Sequence, residues 1–342
     1  MRNPSFFAAL ALGLTSTGLM AQEVTIKVSH FLPPNSNYQK LVLEPWCAKL
    51  ATDSGNKLKC QIYPAMQLGG TPPQLVDQVK NGVADVIWTS PSYTTGRFPY
   101  TEALEQPFVL PPGGLAGSKA MWAYYTQFAT KDYTDYKMLA MFSGSGVIFS
   151  TSSKPLLGLE SFKGIKLRSS SRSAARLVTA LGGSPVNMPP AQITEAISKG
   201  VVDGAVATWE LVPAVKLEEV AKYHIEGPAN QPGFTTNPLV MLMNKARYEG
   251  LSPELKAVID KNSGMPLVEL AGNAWDTATV DGRKKATAAG NKTLVIKPED
   301  YEAIRKASAN VEQEWAKEVA PKGLDGAALI RQARAIGAQY LK

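Results

Sequence analysis

The chain contains 342 residues, of which 44% are hydrophobic and 19% are charged, and its formal net charge is +7 at pH 7. That length exceeds what one hydrophobic core usually holds, so we expect two lobes. Lys and Arg are scattered along the sequence and are not clustered with stacking aromatic residues, which argues against a nucleic-acid partner. The modest basic excess favours a weak attraction for anions.

The N-terminal segment has the layout of a secretory signal peptide. Arg2 precedes an apolar run at residues 6–14, and small and polar residues follow up to Ala21. The run is shorter than the roughly 20 residues that span a bilayer. We therefore predict that residues 1–21 are a signal peptide cleaved near Ala21 and that the mature protein is periplasmic. Leu19 is larger than the residue that usually stands shortly before a cleavage point, so an uncleaved anchor is the alternative.

The chain has two cysteines, Cys47 and Cys60. In an oxidising compartment such a pair bridges more often than it stays reduced, which predicts a disulfide, with two inert buried thiols as the alternative. The two histidines, His30 and His224, lie far apart, and no Cys-x-x-Cys or His-x-x-x-His motif accompanies them. They do not make a convincing set of metal ligands, so we expect neither a metal nor another cofactor.

The first part of the chain alternates short apolar strands with amphipathic helices, which is typical of parallel βαβ units. These elements predict a doubly wound lobe made mainly of residues 22–142. A turn-rich crossing then leads towards a second lobe. The strands are predicted at Val24–Ser29, Leu58–Tyr63, 83–88, 138–142 and 147–150, and the helices at 38–52, from Pro72 onward and at 116–128.

The same alternation returns further along, which predicts a second doubly wound lobe made mainly of residues 143–237. Residues 238–342 are predicted to supply a strand that returns to the hinge, at Pro238–Asn244, and a long helix near 267–289 that braces both lobes. The expected fold is therefore α/β, with two doubly wound lobes joined by a hinge, of the periplasmic binding protein type. In the second lobe the strands are predicted at 165–168, 184–188 and Gly204–Thr208, and the helices at 173–181 and 191–199.

Ligands of open α/β sheets bind just outside the carboxyl ends of the strands, so the residues near those ends are the candidate contacts. Arg168 stands out because a guanidinium at a strand end can form two charge-assisted hydrogen bonds with one carboxylate. A surface salt bridge to a neighbouring acid is the alternative for this residue. The other candidates are Phe31, Asn35, Ser90, Tyr93, Arg97, Ser145, Thr208, Trp209, Phe234 and Thr236.

Several motifs in order carry a resemblance that covers nearly the whole chain after residue 21. The chain resembles the solute-binding subunits of the tripartite ATP-independent periplasmic (TRAP) transporters, of the C4-dicarboxylate-binding, DctP-like type. The resemblance implies a protein that binds a small organic acid through Arg168 and delivers it to membrane subunits, with a membrane sensor as the alternative partner. The motifs are Tyr63-Pro-Ala-Met-Gln-Leu-Gly-Gly70, Gln106-Pro-Phe108, Phe162-Lys-Gly-Ile-Lys-Leu-Arg168, Leu181-Gly-Gly-Ser-Pro185 and Gly200-Val-Val-Asp-Gly204.

One departure from the family pattern concerns the ligand. Where the family usually has an Asn that helps to hold the carboxylate, this sequence has Ala207, which leaves Thr208 or a neighbour to supply a polar contact. Trp209 is then expected to offer an apolar wall, which favours an aromatic or branched monocarboxylate, although core packing is its alternative role. A C4-dicarboxylate that uses Arg97 as a second cation is the alternative ligand. Tyr93 and Arg97 are equally consistent with bracing their own turn.

An enzyme that acts on an organic acid is the alternative class of protein. The sequence gives it little support, because no Gly-x-Ser-x-Gly motif is present and neither histidine has a nucleophile in recognisable sequence context. Asp203 and Glu210 have a spacing that fixes no shared water, so we expect them to serve folding and solubility. The expected function is therefore ligand binding without chemistry.

Overall fold

The computed structural model describes residues 23–144 and 146–341. The predicted signal peptide at residues 1–21 and the candidate contact Ser145 lie outside these ranges. The described residues form two β-sheets flanked by helices, which confirms the expected two-lobed α/β fold.

The strands lie close to their predicted positions. The second sheet contains two further short strands that the sequence did not predict. In chain order the strands are β1 (Val24–Ser29), β2 (Leu58–Tyr63), β3 (Val86–Thr89), β4 (Tyr136–Ser143), β5 (Val147–Thr151), β6 (Lys166–Ser169), β7 (Ser184–Asn187), β8 (Gly204–Thr208), β9 (Tyr223–Glu226), β10 (Pro238–Asn244) and β11 (Lys292–Val295). The α-helices are α1 (Glu44–Asp53), α2 (Leu75–Lys80), α3 (Gly114–Tyr124), α4 (Leu159–Phe162), α5 (Arg172–Ala180), α6 (Ile193–Ser198), α7 (Leu211–Ala214), α8 (Lys245–Glu249), α9 (Pro253–Lys261), α10 (Met265–Ala288), α11 (Pro298–Ala307), α12 (Ala309–Val319) and α13 (Gly326–Ala338).

The first sheet has five strands in the order β2-β1-β3-β10-β4. Strand β1 pairs in parallel with β2 and β3, which brings their carboxyl ends to one edge of the sheet. Strand β10 pairs antiparallel with β3 on one side and with β4 on the other. The late apolar segment therefore returns to the first lobe and completes its sheet, and every residue of β10 is buried there.

The second sheet has six strands in the order β11-β9-β5-β8-β6-β7. Strand β6 pairs in parallel with β7 and β8, whereas β5 runs antiparallel to β8 and β9. Strands β9 and β11 were not predicted. Each is only four residues long and β11 is largely exposed, so neither shows the alternation on which a sequence-based strand prediction depends.

Helix α10, 24 residues long, contacts both lobes. It packs against α3 and β4 of the first lobe and against α7 and β11 of the second. Glycines permit this close approach: a Cβ atom on Gly114 would lie 2.6 Å from the carbonyl oxygen of Gly272, and one on Gly282 would collide with the carbonyl oxygen of Trp209. Asp276 also accepts a hydrogen bond of 2.7 Å from the Gly114 amide, at the start of α3. The predicted bracing helix is confirmed.

A disulfide joins Cys47 of α1 to Cys60 of β2, with the two Cα atoms 5.7 Å apart. Strand β2 lies at an edge of the first sheet, so the bond ties this edge to the helix that covers it. The predicted pairing of the two cysteines is confirmed.

Candidate functional site

A cavity lies between the two lobes, at the carboxyl ends of β1, β3, β6 and β8. This is the position at which open α/β sheets bind ligands. The space between its lining atoms, including open solvent at the mouth, is about 440 Å³. The first lobe and α10 contribute Phe31, Leu32, Trp88, Tyr93, Asn237, Leu239 and Trp275, and the second lobe contributes Val147, Arg168, Ser170, Pro190, Val206, Ala207, Thr208, Glu210 and Leu211.

Arg168, near the end of β6, is the cation of the cavity, and only 1% of its surface is exposed. Its Nε donates a hydrogen bond of 3.0 Å to the carbonyl oxygen of Met188, and a terminal nitrogen donates one of 3.1 Å to that of Val206. Among the described residues, no carboxylate forms an ion pair with this guanidinium. Burial lowers the pKa of Arg168, with Tyr93 opposing the shift, but an arginine side chain keeps its charge. Among the described residues, the hydrogen bonds that this buried guanidinium donates to the main chain therefore go to uncharged carbonyl groups.

Tyr93 reaches the same place from the first lobe, where it ends the short 3₁₀ turn Pro91–Tyr93. Its phenol group interacts with the Arg168 guanidinium across the cleft. Burial raises the pKa of Tyr93 to about 12, although the charge of Arg168 opposes the shift. Its ring packs edge-on against Phe31, with ring centroids 5.5 Å apart. A neutral phenol and a guanidinium thus connect the two lobes inside the cavity.

Stacked aromatic rings form the apolar wall of the cavity on the side of the first lobe. Phe31 stacks on Trp88 with centroids 4.7 Å apart, and Trp88 stacks on Tyr38 at 3.8 Å. Trp275 of α10 lies 6.2 Å from Trp88, and both indoles are almost completely buried. Because each ring is held by its neighbours, this wall presents a rigid apolar surface opposite the guanidinium.

The second lobe also contributes a carboxyl group to the lining of the cavity. Glu210 follows β8 and is 5% exposed, and the hydroxyl of Thr208 donates a hydrogen bond to it. Across the cleft, Ser90 lies outside the lining but its hydroxyl donates to the side-chain oxygen of Asn237 at 2.9 Å. Ser90 therefore orients a polar group of the cavity without lining it.

The structure brings four of the candidate contacts together in the cavity: Phe31, Tyr93, Arg168 and Thr208. Sequence reasoning missed other residues that line it. Trp88 lies near the end of β3, Asn237 directly precedes β10, and Glu210 follows β8. The rule that ligands bind near strand ends could therefore have found all three. Trp275 lies inside α10, where no local sequence signal marks it.

Trp209, the expected apolar wall, does not line the cavity that contains Arg168; it lines a second cavity, together with Glu226 and Arg283. The indole Nε1 donates a hydrogen bond of 2.6 Å to Glu226, and the ring lies beneath the Arg283 guanidinium at 5.5 Å and near the His224 ring. The chain turns towards α10 directly after β8, so the Trp209 side chain points away from the cavity that contains Arg168. Core packing, the alternative role, describes this residue.

Arg97 and Asn35 are also placed away from the cavity. Arg97 forms an ion pair of 2.7 Å with Asp77 and donates a hydrogen bond of 2.8 Å to the hydroxyl of Tyr136. These contacts brace its own turn in the first lobe, so it is not a second cation of the cavity. Asn35 is exposed in the loop after β1.

Phe234 and Thr236, which precede β10, serve the connection between the lobes. Phe234 packs against Phe149 with ring centroids 4.8 Å apart and is part of the second lobe's core. The hydroxyl of Thr236 donates to the carbonyl oxygen of Leu104. Neither residue lines the cavity that contains Arg168, because the segment turns inward before Asn237.

Two further observations concern metal sites and membrane-spanning helices. Over residues 23–144 and 146–341, no group of three or more His, Cys, Asp or Glu side chains could hold a metal ion. Over the same ranges, no helix has the length and apolar character needed to cross a membrane.

The sequence and the fold are similar to those of known proteins. The chain matches the family model for bacterial extracellular solute-binding protein, family 7 (DctP), over residues 28–318. A marine metagenome TRAP solute binding protein specific for aromatic acid ligands, solved with 3-hydroxybenzoate, is 40% identical, with a TM-score of 0.91 and coverage of 94% of this chain and 100% of that one.

Two further solved structures are similar over nearly their whole length. The TRAP solute binding protein from Rhodoferax ferrireducens, solved with copurified benzoate, is 36% identical, with a TM-score of 0.89 and coverage of 93% of this chain and 98% of that one. The one from Bordetella bronchiseptica, solved with (R)- and (S)-mandelate, is 27% identical, with a TM-score of 0.83 and coverage of 92% and 99%. Because the family match spans most of the sequence and the two-lobed fold is shared, the chain belongs to the bacterial extracellular solute-binding proteins of family 7, the family of the TRAP solute-binding proteins.

Proposed function

We propose that this protein captures a small aromatic monocarboxylate in the cleft between its lobes and delivers it to the membrane subunits of a TRAP transporter. The observation that carries the proposal is the buried guanidinium of Arg168, which has no carboxylate partner among the described residues. A buried charge is costly unless it is paired. A ligand carboxylate would supply that partner through charge-assisted hydrogen bonds.

The walls of the cavity support an aromatic body for this acid. Phe31, Trp88 and Trp275 provide apolar faces, and each Å² of apolar ligand surface removed from water contributes about 25 cal/mol. The similar proteins described above were solved with 3-hydroxybenzoate, benzoate and mandelate, each of which combines one carboxylate with one ring. A C4-dicarboxylate fits less well, because Arg97 is engaged elsewhere and the described residues that line the cavity include no second cation.

Capture would proceed by closure of the two lobes around the acid. Arg168 belongs to the second lobe, while Tyr93 and the aromatic wall belong to the first. A ligand that contacts both sides gains its full set of interactions only when the lobes are together, so it shifts the population towards the closed state. Release to the membrane subunits then requires reopening.

The proposal includes no chemical step, and it places the mature protein in the periplasm after cleavage near Ala21. The family assignment supports an exported solute-binding protein. Incubation of the protein with benzoate followed by mass spectrometry should return the acid unchanged, whereas a modified product would indicate an enzyme. Mass spectrometry of exported intact protein should give the mass of a chain that begins after Ala21.

A ligand screen tests the ligand class directly. Benzoate, 3-hydroxybenzoate and mandelate are compared with succinate, malate and fumarate in thermal-shift and calorimetric titrations. A ligand at about one hundred times its Kd stabilises the folded state by about 2.7 kcal/mol, so binding acids are readily separated from the others. We expect the aromatic acids to raise the Tm and the C4-dicarboxylates to leave it unchanged. Tighter binding of a C4-dicarboxylate than of every aromatic acid would refute the proposal.

A further inference from the structure

Five tryptophans in the described part of the chain are almost completely buried, and they differ in the hydrogen bonding of their indole N–H groups. Three of them, Trp46, Trp209 and Trp315, do not line the candidate site, and each donates a hydrogen bond of 2.6–3.0 Å to an oxygen atom of the protein. Trp88 and Trp275 line the site, and their N–H groups have no acceptor among the described residues. A buried indole N–H usually has a partner. The two exceptions therefore occur where a ligand is expected.

The packing around Trp88 and Trp275 fixes both rings. Trp88 stacks on Phe31 with ring centroids 4.7 Å apart and on Tyr38 at 3.8 Å. Trp275 lies 5.9 Å from Tyr38 and 6.2 Å from Trp88, so the rings form one cluster. Neither indole can turn towards a protein acceptor without breaking this cluster.

We propose that the indole N–H groups of Trp88 and Trp275 bind an oxygen substituent on the ring of the ligand, so that these two residues select hydroxylated aromatic acids. The inference rests on the proposed function, because it takes the carboxylate of the same acid to be bound by Arg168. The two indoles lie on the side of the cavity opposite Arg168, where they meet the part of the acid that is remote from its carboxylate. An indole N–H only donates, so its partner must be an acceptor. A buried donor without a partner costs free energy, which an oxygen substituent offsets and a hydrocarbon substituent does not.

Two pairs of ligands isolate this hydrogen bond. A hydroxyl group and a methyl group are similar in size, but only the hydroxyl oxygen accepts a hydrogen bond. Calorimetry compares 3-hydroxybenzoate with 3-methylbenzoate, and 4-hydroxybenzoate with 4-methylbenzoate. We expect the wild type to prefer the hydroxyl compound of at least one pair by about tenfold or more in Kd. If neither hydroxyl compound is preferred, the inference is overturned without the need for any variant.

Variants then assign the preference to the indoles. Trp88→Phe and Trp275→Phe each retain an aromatic ring and remove the N–H group, and at least one of them should reduce the preference by about fivefold or more. The ratio of the two Kd values cancels a change of cavity shape that affects both ligands alike. Trp46→Phe is the matched control, because it removes an N–H group that donates to the carbonyl oxygen of Asn262 outside the candidate site, and its preference should equal that of the wild type. Where a Phe variant does not fold, benzothienylalanine in place of that tryptophan removes the N–H group and keeps the shape of the ring.

Each remaining outcome supports or overturns the role of the two indoles. An unchanged preference in the variants of both residues overturns it, as does an equal reduction in Trp46→Phe. Benzoate with the wild type and with Arg168→Ala separates the two proposals. If benzoate binds through Arg168 but the preference for a hydroxyl is absent or responds to neither variant, the proposed function stands and the role of Trp88 and Trp275 falls. If no aromatic acid binds the wild type, both fall.

Discussion

Arg168 and Tyr93 together account for the polar contacts expected at the centre of the cleft. The guanidinium is oriented by two main-chain carbonyl groups, so its position does not depend on the ligand. Tyr93 is neutral at physiological pH, as an ordinary tyrosine is, and its raised pKa of about 12 moves it further from ionisation. Once the lobes are together, a preorganised cation and a neutral phenol on the facing lobe can both bind one carboxylate without rearrangement of their side chains.

Replacement of Arg168 by Ala should remove most of the affinity for benzoate. The ligand carboxylate would be buried without its counter-charge, a loss of about 2 to 5 kcal/mol, or at least about thirtyfold in Kd. Arg168→Lys should also bind weakly, because an ammonium group cannot form the planar fork. Calorimetric titration measures the loss, with circular dichroism as the check on folding. Wild-type affinity in Arg168→Ala would show that the carboxylate binds elsewhere.

Replacement of Tyr93 by Phe tests the contact between the lobes. The ring that packs against Phe31 is retained, and only the hydroxyl next to Arg168 is removed. We expect benzoate affinity to fall by about 1 kcal/mol, or about fivefold, which is the usual net contribution of one hydrogen bond. Tyr136→Phe removes a hydroxyl that serves Arg97 outside the cavity and should not change the affinity. Equal losses in the two variants would contradict a specific role for Tyr93.

At the level of elements, the disulfide between α1 and β2 is expected to stabilise the first lobe without affecting binding. The two cysteines are 13 residues apart, and closing a loop of that size contributes about 3 kcal/mol. The double variant Cys47→Ser, Cys60→Ser should therefore show a lower Tm and an unchanged benzoate affinity, since neither residue lines the cavity. Thiol titration of unreduced, unfolded wild-type protein should find no free thiol. Two reactive thiols in that titration would exclude the bond in the exported protein.

The elements were predictable from the sequence where burial follows a regular period. The strand at Pro238–Asn244 is apolar from Pro238 to Met243 because it lies inside the first sheet, and this apolar run predicts a buried strand. The site was predictable only in part. The strand-end rule located Arg168 and Tyr93, but it could not give the direction of Trp209, because the chain turns towards α10 one residue after β8. Trp275 reaches the cavity from a helix distant in sequence, which only tertiary packing determines.

In the whole molecule, the two lobes also contact each other at a second place, outside the cavity. Glu105, at the end of the turn Thr101–Glu105 in the first lobe, is buried near Arg172 at the start of α5 in the second. The amide of Gln106 also donates a hydrogen bond of 3.0 Å to the hydroxyl of Ser173. Burial raises the pKa of Glu105 to about 8, and the charge of Glu102 adds to the shift. This contact therefore contains a carboxyl group that is neutral at mildly acidic pH.

The stability of the protein should depend on the ionisation of Glu105. The unfolded carboxyl loses its proton near pH 4.5, whereas the folded one keeps it to about pH 8, so this group makes the folded state less stable as pH rises between these values. The effect is at most on the order of 5 kcal/mol. Glu105→Gln stays neutral, so its Tm should fall less steeply between about pH 5 and about pH 8 than that of the wild type. Glu249→Gln, an exposed carboxylate, is the control. Parallel Tm profiles for the wild type and Glu105→Gln would contradict the assignment.

The position of β10 has a consequence for the order in which the protein folds. Strand β10 joins β3 to β4 in the first sheet, so that sheet remains in two pieces until residues 238–244 have been synthesised. The first lobe therefore cannot fold while its own segment alone is available, and its completion waits for strand pairings between residues distant along the chain. Such high contact order slows folding. A slowly folding chain stays extended for longer after synthesis, and an extended chain is the form that a translocation pore can accept.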